Sequence, residues 1–260
     1  MLCSTDSTTS GAVGSAPDRL EAKRLSEILL VIPAWNEARN LPDVLDELER
    51  ARPADARVVV DDGSEDETAA VARRRGVAVV QLPMHLGYGA AVQTGIKYAL
   101  RNGHRVAVTF DGDGQHDPAD VEPLVVAVRE GADLALGSRF LAPFAYRGSV
   151  VRRAGRALFS RLARVLTGLP LTDPTSGLKA LGPEAQRLFA LALFPDRFPD
   201  ADALVLARRA RLRIVERPAR MRPSRNRHSM HDGLRSVSYS FNMLASLLVA
   251  ALGREADLEG

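Results

Sequence analysis

The sequence predicts an α/β fold built on a mainly parallel sheet, and three observations carry that prediction. Short unbroken apolar runs recur along the first half of the chain, as expected of strands covered on both faces. Segments with apolar residues at helical spacing separate them, the alternation that gives parallel strands joined by crossover helices. Asp- and Gly-containing turns follow several runs directly, so polar groups collect at the carboxyl ends of the strands, the edge where ligands bind in open α/β sheets.

Ile28–Ile32 is the first buried strand. Asn40 has the character of an N-cap for a helix carrying Leu41, Leu45 and Leu48 on one face. Val58–Val60 is the second strand and ends in the turn Asp61-Asp62-Gly63-Ser64. A helix to Gly76, a strand at Val77–Leu82 and a helix from Ala90 to Asn102 follow, with Asn102-Gly103 as the stop. Val106–Phe110 is a strand that runs straight into Asp111. Pro118 opens a helix at a favourable first-turn position, and Leu134–Gly137 is a further strand. Beyond Arg139 a basic amphipathic helix is expected over Gly148–Leu166, then Asp173–Ala180 as a loop leading into a short strand. Helices at Pro183–Leu193 and Asp200–Arg211, a strand at Arg213–Arg217, a Pro- and Arg-rich loop to His231 and a last helix over Asp232–Leu252 complete the reading. The organisation expected is a disordered polar tail over residues 1–24, one domain over 25–230 and a C-terminal helical extension over 231–260.

The 260 residues suffice for one substantial core, and 46% apolar with 26% charged residues is ordinary for a globular protein. The net charge of +3 conceals two arginine-rich regions, Arg147–Arg164 and Arg208–Arg235, which suit phosphate-bearing ligands or anionic lipid headgroups; a solvated surface is the plainer account. Nucleic acid is not expected, because no aromatic platform interleaves the arginines. Cys3 is the sole cysteine, which excludes an intramolecular disulfide and a cysteine metal site and fits a reducing cytoplasm. Residues 1–24 lack the apolar core of a signal peptide, and the longest mostly apolar stretch, Phe241–Leu252, is shorter than the ~20 residues of a membrane span.

The segment Asp111-Gly112-Asp113-Gly114-Gln115-His116-Asp117-Pro118 carries most of the chemistry. Two carboxylates one residue apart on a bent turn can converge on one hard cation, Mg²⁺ or Mn²⁺, which prefers oxygen ligands and shares its shell with water and substrate phosphates. Gln115 and His116 can complete or support that shell. Asp61 and Asp62 lie on the same edge and can accept hydrogen bonds from a ribose or a base, while Ser64 or Asp66 can cap the next helix with Glu67 in its first turn. Trp35 follows the first strand and can cover a nucleobase or simply pack, and Glu37 can accept from the base's N–H groups. Gly87-Tyr88-Gly89 lacks the third small residue of a dinucleotide fingerprint; Gly87 suits close approach of backbone to a ligand, or loop geometry alone.

Taken together, these ordered segments resemble the family 2 glycosyltransferases of the GT-A fold, in the dolichyl- or polyprenyl-phosphate mannosyltransferase (hexosyltransferase) branch, over about Ile28 to Leu252. The resemblance implies a nucleoside pocket lined by Pro33, Trp35, Glu37 and Asp62, and a metal- and diphosphate-binding motif at Asp111, Asp113 and Gln115. It implies that Arg139, in Gly137-Ser138-Arg139, reaches phosphate, and that Arg153 is a second acceptor- or phosphate-binding arginine. Asp173-Pro174-Thr175-Ser176-Gly177-Leu178-Lys179 resembles the family's donor-site motif, which brings in Ser176 and Lys179. Trp35 stands where the family usually has Tyr, and three departures matter: His85 stands where many relatives have Asn, Phe198-Pro199-Asp200-Ala201-Asp202 replaces the commoner acidic pair region, and, most seriously, the loop Met221–His231 is altered. In the loop Met221–His231, Ser229 and His231 match the family, but Ser224 takes the Arg position and Arg227 the Gly position, so that Arg225 or Arg227 would supply the charge.

The expected reaction is displacement at the anomeric carbon of a nucleotide-diphosphate sugar, GDP-mannose or a UDP-hexose, assisted by Mg²⁺ or Mn²⁺ and Arg139. The resemblance implies inversion; a lipid-phosphate acceptor would be held by the positive charge of Arg152, Arg153 and Arg156, and a hydroxyl acceptor would instead need a base, Asp200 or Asp202. A sugar-nucleotide-binding protein without turnover is the non-enzymatic alternative, and a nucleotidyltransferase is disfavoured because no Gly-rich basic loop follows the first strand. The last helix aligns Val237, Phe241, Leu244, Leu248 and Ala251, which suits an anionic membrane surface, the catalytic core or a dimer interface. The expected location is the cytoplasm, with peripheral contact at the inner face of the membrane.

Overall fold

The computed structural model describes residues 26–141, 161, 164, 168, 171–191, 194 and 201–222. The expected tail, the Gly148–Leu166 helix and the C-terminal helix lie wholly or almost wholly outside these residues, as do Arg153, Asp200, Arg225 and Ser229.

The described chain forms strands β1 (Ile28–Ala34), β2 (Ala56–Asp61), β3 (Ala78–Gln81), β4 (Val106–Thr109), β5 (Leu134–Ser138), β6 (Lys179–Leu181) and β7 (Ile214–Pro218). Its helices are α1 (Leu41–Ala51), α2 (Thr68–Arg74), α3 (Tyr88–Arg101), α4 (Val121–Arg129), α5 (Pro183–Phe189) and α6 (Ala201–Arg209). Among the described residues the strands make one sheet in the order β3-β2-β1-β4-β6-β5-β7. All neighbours are parallel except β6, which runs antiparallel to both β4 and β5.

The alternation along β1 shows why the sheet is covered twice. Ile28, Leu30, Ile32 and Ala34 enter one core cluster with Leu41, Val44, Leu45 and Leu48 of α1 and Leu124 and Val125 of α4. Leu29 and Val31 enter the opposite cluster with Val92 and Ile96 of α3, Phe189 of α5 and Leu204 of α6. Successive strand residues point to opposite faces, so a strand with no polar residue needs helices on both sides. The result is three layers with the sheet in the middle.

Local chemistry sets the element ends, with one correction. Asn40 occupies the N-cap position of α1, but its side chain makes no cap; its amide donates to Glu37 Oε2 at 2.5 Å. Pro118 begins a single 3₁₀ turn, Pro118–Asp120, before α4, with Asp117 Oδ1 accepting from Ala119 N at 3.0 Å. Gly103, at φ 72°, ends α3 as its sequence implies.

The strand order reverses direction between β1 and β4, and a crevice opens outside the carboxyl ends of strands at such a switch. Trp35 follows β1 and Asp111 follows β4, so the two informative motifs flank that crevice. Because β6 runs backwards, its amino end is delivered to the same edge: Lys179 pairs with Thr109 of β4 and with Leu136 of β5.

Candidate active site

The turn after β4 alternates in exposure. Gly112, Gly114, His116 and Pro118 are buried, whereas Asp111, Asp113, Gln115 and Asp117 are half-buried and line the outer side of the turn. Asp111 is held on both oxygens: Tyr88 OH donates to Oδ1 at 2.9 Å, and His116 Nε2 lies 2.9 Å from Oδ2. Burial pushes the Asp111 carboxyl up, but the hydrogen bond and charge of His116, the Tyr88 hydroxyl and the charge of Lys179 outweigh it and leave the group below the usual carboxylate range. The same pair works on His116: burial opposes its protonation, and the hydrogen bond and charge of Asp111 prevail, so its pKa is raised.

Asp113 is shifted the other way. Burial and then the charge of Asp111 raise it, only partly offset by the Gln115 N–H that donates to Oδ1 at 2.9 Å. Glu37 is raised too, first by burial, with the charges of Asp113, Asp66 and Asp111 adding to it and the Asn40 amide opposing it. Glu37, Asp111 and Asp113 therefore share one electrostatic neighbourhood, which the sequence alone did not join. Among the described residues no three His, Cys, Asp or Glu side chains form a ready-made ion cage. The Asp111–Asp113 pair nonetheless fits a hard divalent cation that draws its other ligands from phosphate and water, since such a charge would relieve the crowding that raises Asp113.

Gly177 brings the antiparallel strand against this pair. A Cβ there would lie 2.6 Å from Asp111 Oδ2 and 3.2 Å from Tyr88 OH, so only glycine admits the carboxylate at this place. Thr109 Oγ1 donates to Gly177 O at 2.5 Å and accepts from Lys179 N at 3.1 Å, fixing the segment. Ser176 is buried, and its Oγ accepts from Leu178 N at 3.3 Å. Lys179 is buried beside Asp111.

Arg139, expected at phosphate, is engaged by Asp173. Its Nε and backbone N–H donate to Asp173 Oδ2 at 2.6 and 3.1 Å, and Nη2 donates to Oδ1 at 2.7 Å and to Thr175 Oγ1 at 2.9 Å. Asp173 is itself placed by Glu216 of β7, which accepts from Asp173 N at 2.8 Å, from Thr172 N at 2.8–2.9 Å and from Thr172 Oγ1 at 2.9 Å. Sequence reasoning missed Glu216 and Tyr88. Glu216 sits in a strand of mixed polarity with no motif, and Tyr88 stands between two glycines whose pattern carries no signal for a carboxylate partner.

On the other side of the crevice, Asp61 and Asp62 are buried and serve the protein's own loops. Asp61 accepts from Ser64 N at 3.1 Å and from Gln81 Nε2 at 3.0 Å. Asp62 accepts from Leu86 N at 2.8 Å and Gly87 N at 2.9 Å, with His85 Nδ1 2.8 Å away. Gly87, at φ 106°, precedes α3 in a conformation that favours glycine. Trp35 is 42% exposed and stacks on His85 with centroids 4.2 Å apart. The residues at these two positions thus contact each other and present a partly exposed aromatic surface after β1, while Pro33 within β1 is buried. Of the capping candidates, Ser64 Oγ accepts from Asn36 N and Asp66 Oδ1 from Thr68 N, each at 2.9 Å. Asp202 is buried in the first turn of α6.

Known proteins resemble this chain in sequence and in fold. The family model described as glycosyl transferase family 2 matches residues 29–177. The undecaprenyl-phosphate mannosyltransferase of Micrococcus luteus is 34% identical over 74% of this chain and 82% of its own length. The UDP-N-acetylglucosamine–dolichyl-phosphate N-acetylglucosaminyltransferase of Methanococcus voltae is 28% identical over 88% of this chain and 98% of its own. The solved structure of glucosyl-3-phosphoglycerate synthase from Mycobacterium tuberculosis, in complex with Mn²⁺, UDP-glucose and phosphoglyceric acid, superposes with a TM-score of 0.66 at 26% identity, covering 86% of this chain and 79% of that one. The seven-stranded α/β sheet with its acidic turn at the switch point is the GT-A architecture, and the chain belongs to glycosyl transferase family 2.

Proposed function

We propose that this glycosyltransferase moves a hexosyl group from a nucleoside-diphosphate sugar to a polyprenyl-phosphate-type lipid, with inversion. The observation that carries the reading is the Asp111–Asp113 pair in the turn after β4, in one electrostatic neighbourhood with Glu37, where burial and mutual charge raise Asp113 and Glu37 and a bound cation would relieve that cost. A bound Mg²⁺ or Mn²⁺ would supply the countercharge for a diphosphate leaving group. Asp111 and Asp113, supported by Gln115, would hold that ion. His116, Tyr88 and Lys179 keep Asp111 ionised and oriented. Trp35 and His85 offer a flat surface for the base, and Asp62 fixes the Leu86–Gly87 backbone that follows His85. The part of Arg139 in this reading is positional: chelated by Asp173, it fixes the segment that presents Gly177 to Asp111.

Displacement breaks the bond between the anomeric carbon and the diphosphate oxygen as an acceptor oxygen attacks the opposite face. A lipid monophosphate is already anionic and needs no base. The names of the relatives from Micrococcus luteus and Methanococcus voltae support such an acceptor. A second reading, transfer to a soluble hydroxyl acceptor, is motivated by the phosphoglyceric acid in the Mycobacterium tuberculosis structure. It would require a base, and the candidate among the described residues, Asp202, is buried in α6.

The test supplies UDP-glucose, UDP-N-acetylglucosamine or GDP-mannose with Mn²⁺ to the full chain, with undecaprenyl phosphate in one arm and phosphoglyceric acid in the other. Product in the lipid arm alone is expected. Product only in the soluble arm overturns the acceptor; donor binding without turnover in either arm overturns the enzyme reading in favour of a sugar-nucleotide binder. Among the described residues no helix is long and apolar enough to cross a membrane. Cytoplasmic placement with peripheral docking is also part of the proposal, supported by the lipid-phosphate substrates in the relatives' names, and flotation with anionic vesicles tests the docking.

A further inference from the structure

After β7 the chain crosses the carboxylate turn and is tied to it at several points. Arg220 N donates to Asp120 Oδ2 at 2.5 Å, Met221 makes an antiparallel bridge with His116, and Arg222 N donates to Gln115 O at 2.9 Å. Arg139 Nη1 reaches Met221 Sδ at 3.4 Å. Met221 and Arg222 are only half-buried, so polar contacts do much of the fixing here. The Arg222 guanidinium is gripped by Glu47 of α1: Nη1 donates to Oε2 and Nη2 to Oε1, both at 2.8 Å, and Nη2 also lies 3.3 Å from Asp117 Oδ2. Two parallel bonds between a guanidinium and a carboxylate are among the most directional contacts available to side chains.

We infer that Glu47, on α1, is a positioning residue for the carboxylate turn, acting through Arg222. The strap supplies the donor for Gln115 O and the bridge partner of His116, and His116 in turn holds Asp111. Helix α1 touches the same turn directly, since Val44 faces Gly114. Glu47 therefore locks strap, turn and helix into one register, across 175 residues of sequence. The functional consequence rests on the cation reading above; the positional claim does not.

The test compares Glu47→Gln with the wild type, both as full chains. Amide exchange is followed in the peptide spanning residues 111–117 and in β1, with Mn²⁺ affinity measured by electron paramagnetic resonance and the unfolding midpoint recorded alongside. Exchange in the turn should accelerate while β1 is unchanged, and Mn²⁺ should bind about tenfold more weakly, the usual cost of losing an outer partner of a metal ligand. Arg222→Lys should reproduce both effects, because an ammonium cannot replace the fork, and it stands in if Glu47→Gln fails to fold. A change in midpoint with wild-type exchange in the turn overturns the inference and leaves Glu47 a merely structural residue. A wild type that binds no Mn²⁺ would overturn the cation reading instead, and the exchange arm would still decide the role of Glu47.

Discussion

At the end of β2, Asp61 and Asp62 are buried and spend their oxygens on Ser64, Gln81, Leu86 and Gly87; at the end of β4, Asp111 and Asp113 are half-exposed and repel one another. Both pairs close a parallel strand at the same sheet edge, and both sit in a turn with glycine. The difference lies in the donors around them. Backbone N–H groups and a glutamine amide satisfy the first pair, so it shapes a rigid wall. The second pair has one member satisfied by Tyr88 and His116 and the other raised by burial and charge, so it is poised for a positive ligand. Identical residue types thus build a scaffold on one side of the crevice and a reactive edge on the other.

The sharpest way to break this comparison is Asp113→Asn. Transfer should fall by about a thousandfold, the scale of losing a principal source of transition-state charge stabilisation, while the unfolding midpoint of the ligand-free protein rises. The sign follows from linkage: the folded state raises the pKa of Asp113, so it favours the protonated form, and the penalty for the ionised form is relieved as pH falls through the folded value toward the unfolded one. Differential scanning calorimetry between pH 7 and pH 4 should therefore show a flatter pH dependence in the variant. A lower midpoint would mean that Asp113 is a structural acid like Asp61.

Asp173→Asn tests the scaffold around Arg139. Removing one partner of a buried, bidentate pair should destabilise the fold by about 3 kcal/mol, read from urea unfolding. An unchanged midpoint would return Arg139 to a phosphate-binding role. Gly177→Ala comes next. The added methyl would displace Asp111, and transfer should fall by roughly tenfold to a hundredfold with the fold intact, since small misplacements of a reacting group cost that much. The smallest effect belongs to the opposite wall: Trp35→Ala should weaken nucleotide affinity by about tenfold, the value of one aromatic stack, and leave the unfolding midpoint near wild type. Calorimetric titration with UDP and GDP would check this and show which base the Trp35–His85 surface prefers.

Much of the fold was legible because both signals that specify it are local. Alternation of apolar runs placed β1 to β5 and their helices to within a few residues, and the Asn102-Gly103 stop ended α3 where expected. The Asp111–Gln115 motif was legible because its chemistry is written in consecutive residues. The place of Arg139 was not, since its partner Asp173 lies 34 residues away, and neither was Glu216, whose partners lie more than 40 residues away. Asn40 shows the limit within a single turn: the residue type marked the helix start correctly, but Glu37 competed for its side chain and won.

The sequence by itself determined that strands covered on both faces would deliver acidic turns to one edge, because side-chain period and turn chemistry act over a few residues. Only the tertiary structure decided which donors and which charges each of those acids would meet. Inserting β6 backwards between β4 and β5 carries Gly177 and Lys179 to Asp111, and the strap after β7 brings Arg222 to Glu47. A carboxylate's state is set by the donors and charges within a few ångströms of it, and those come from segments that meet only when the chain is folded.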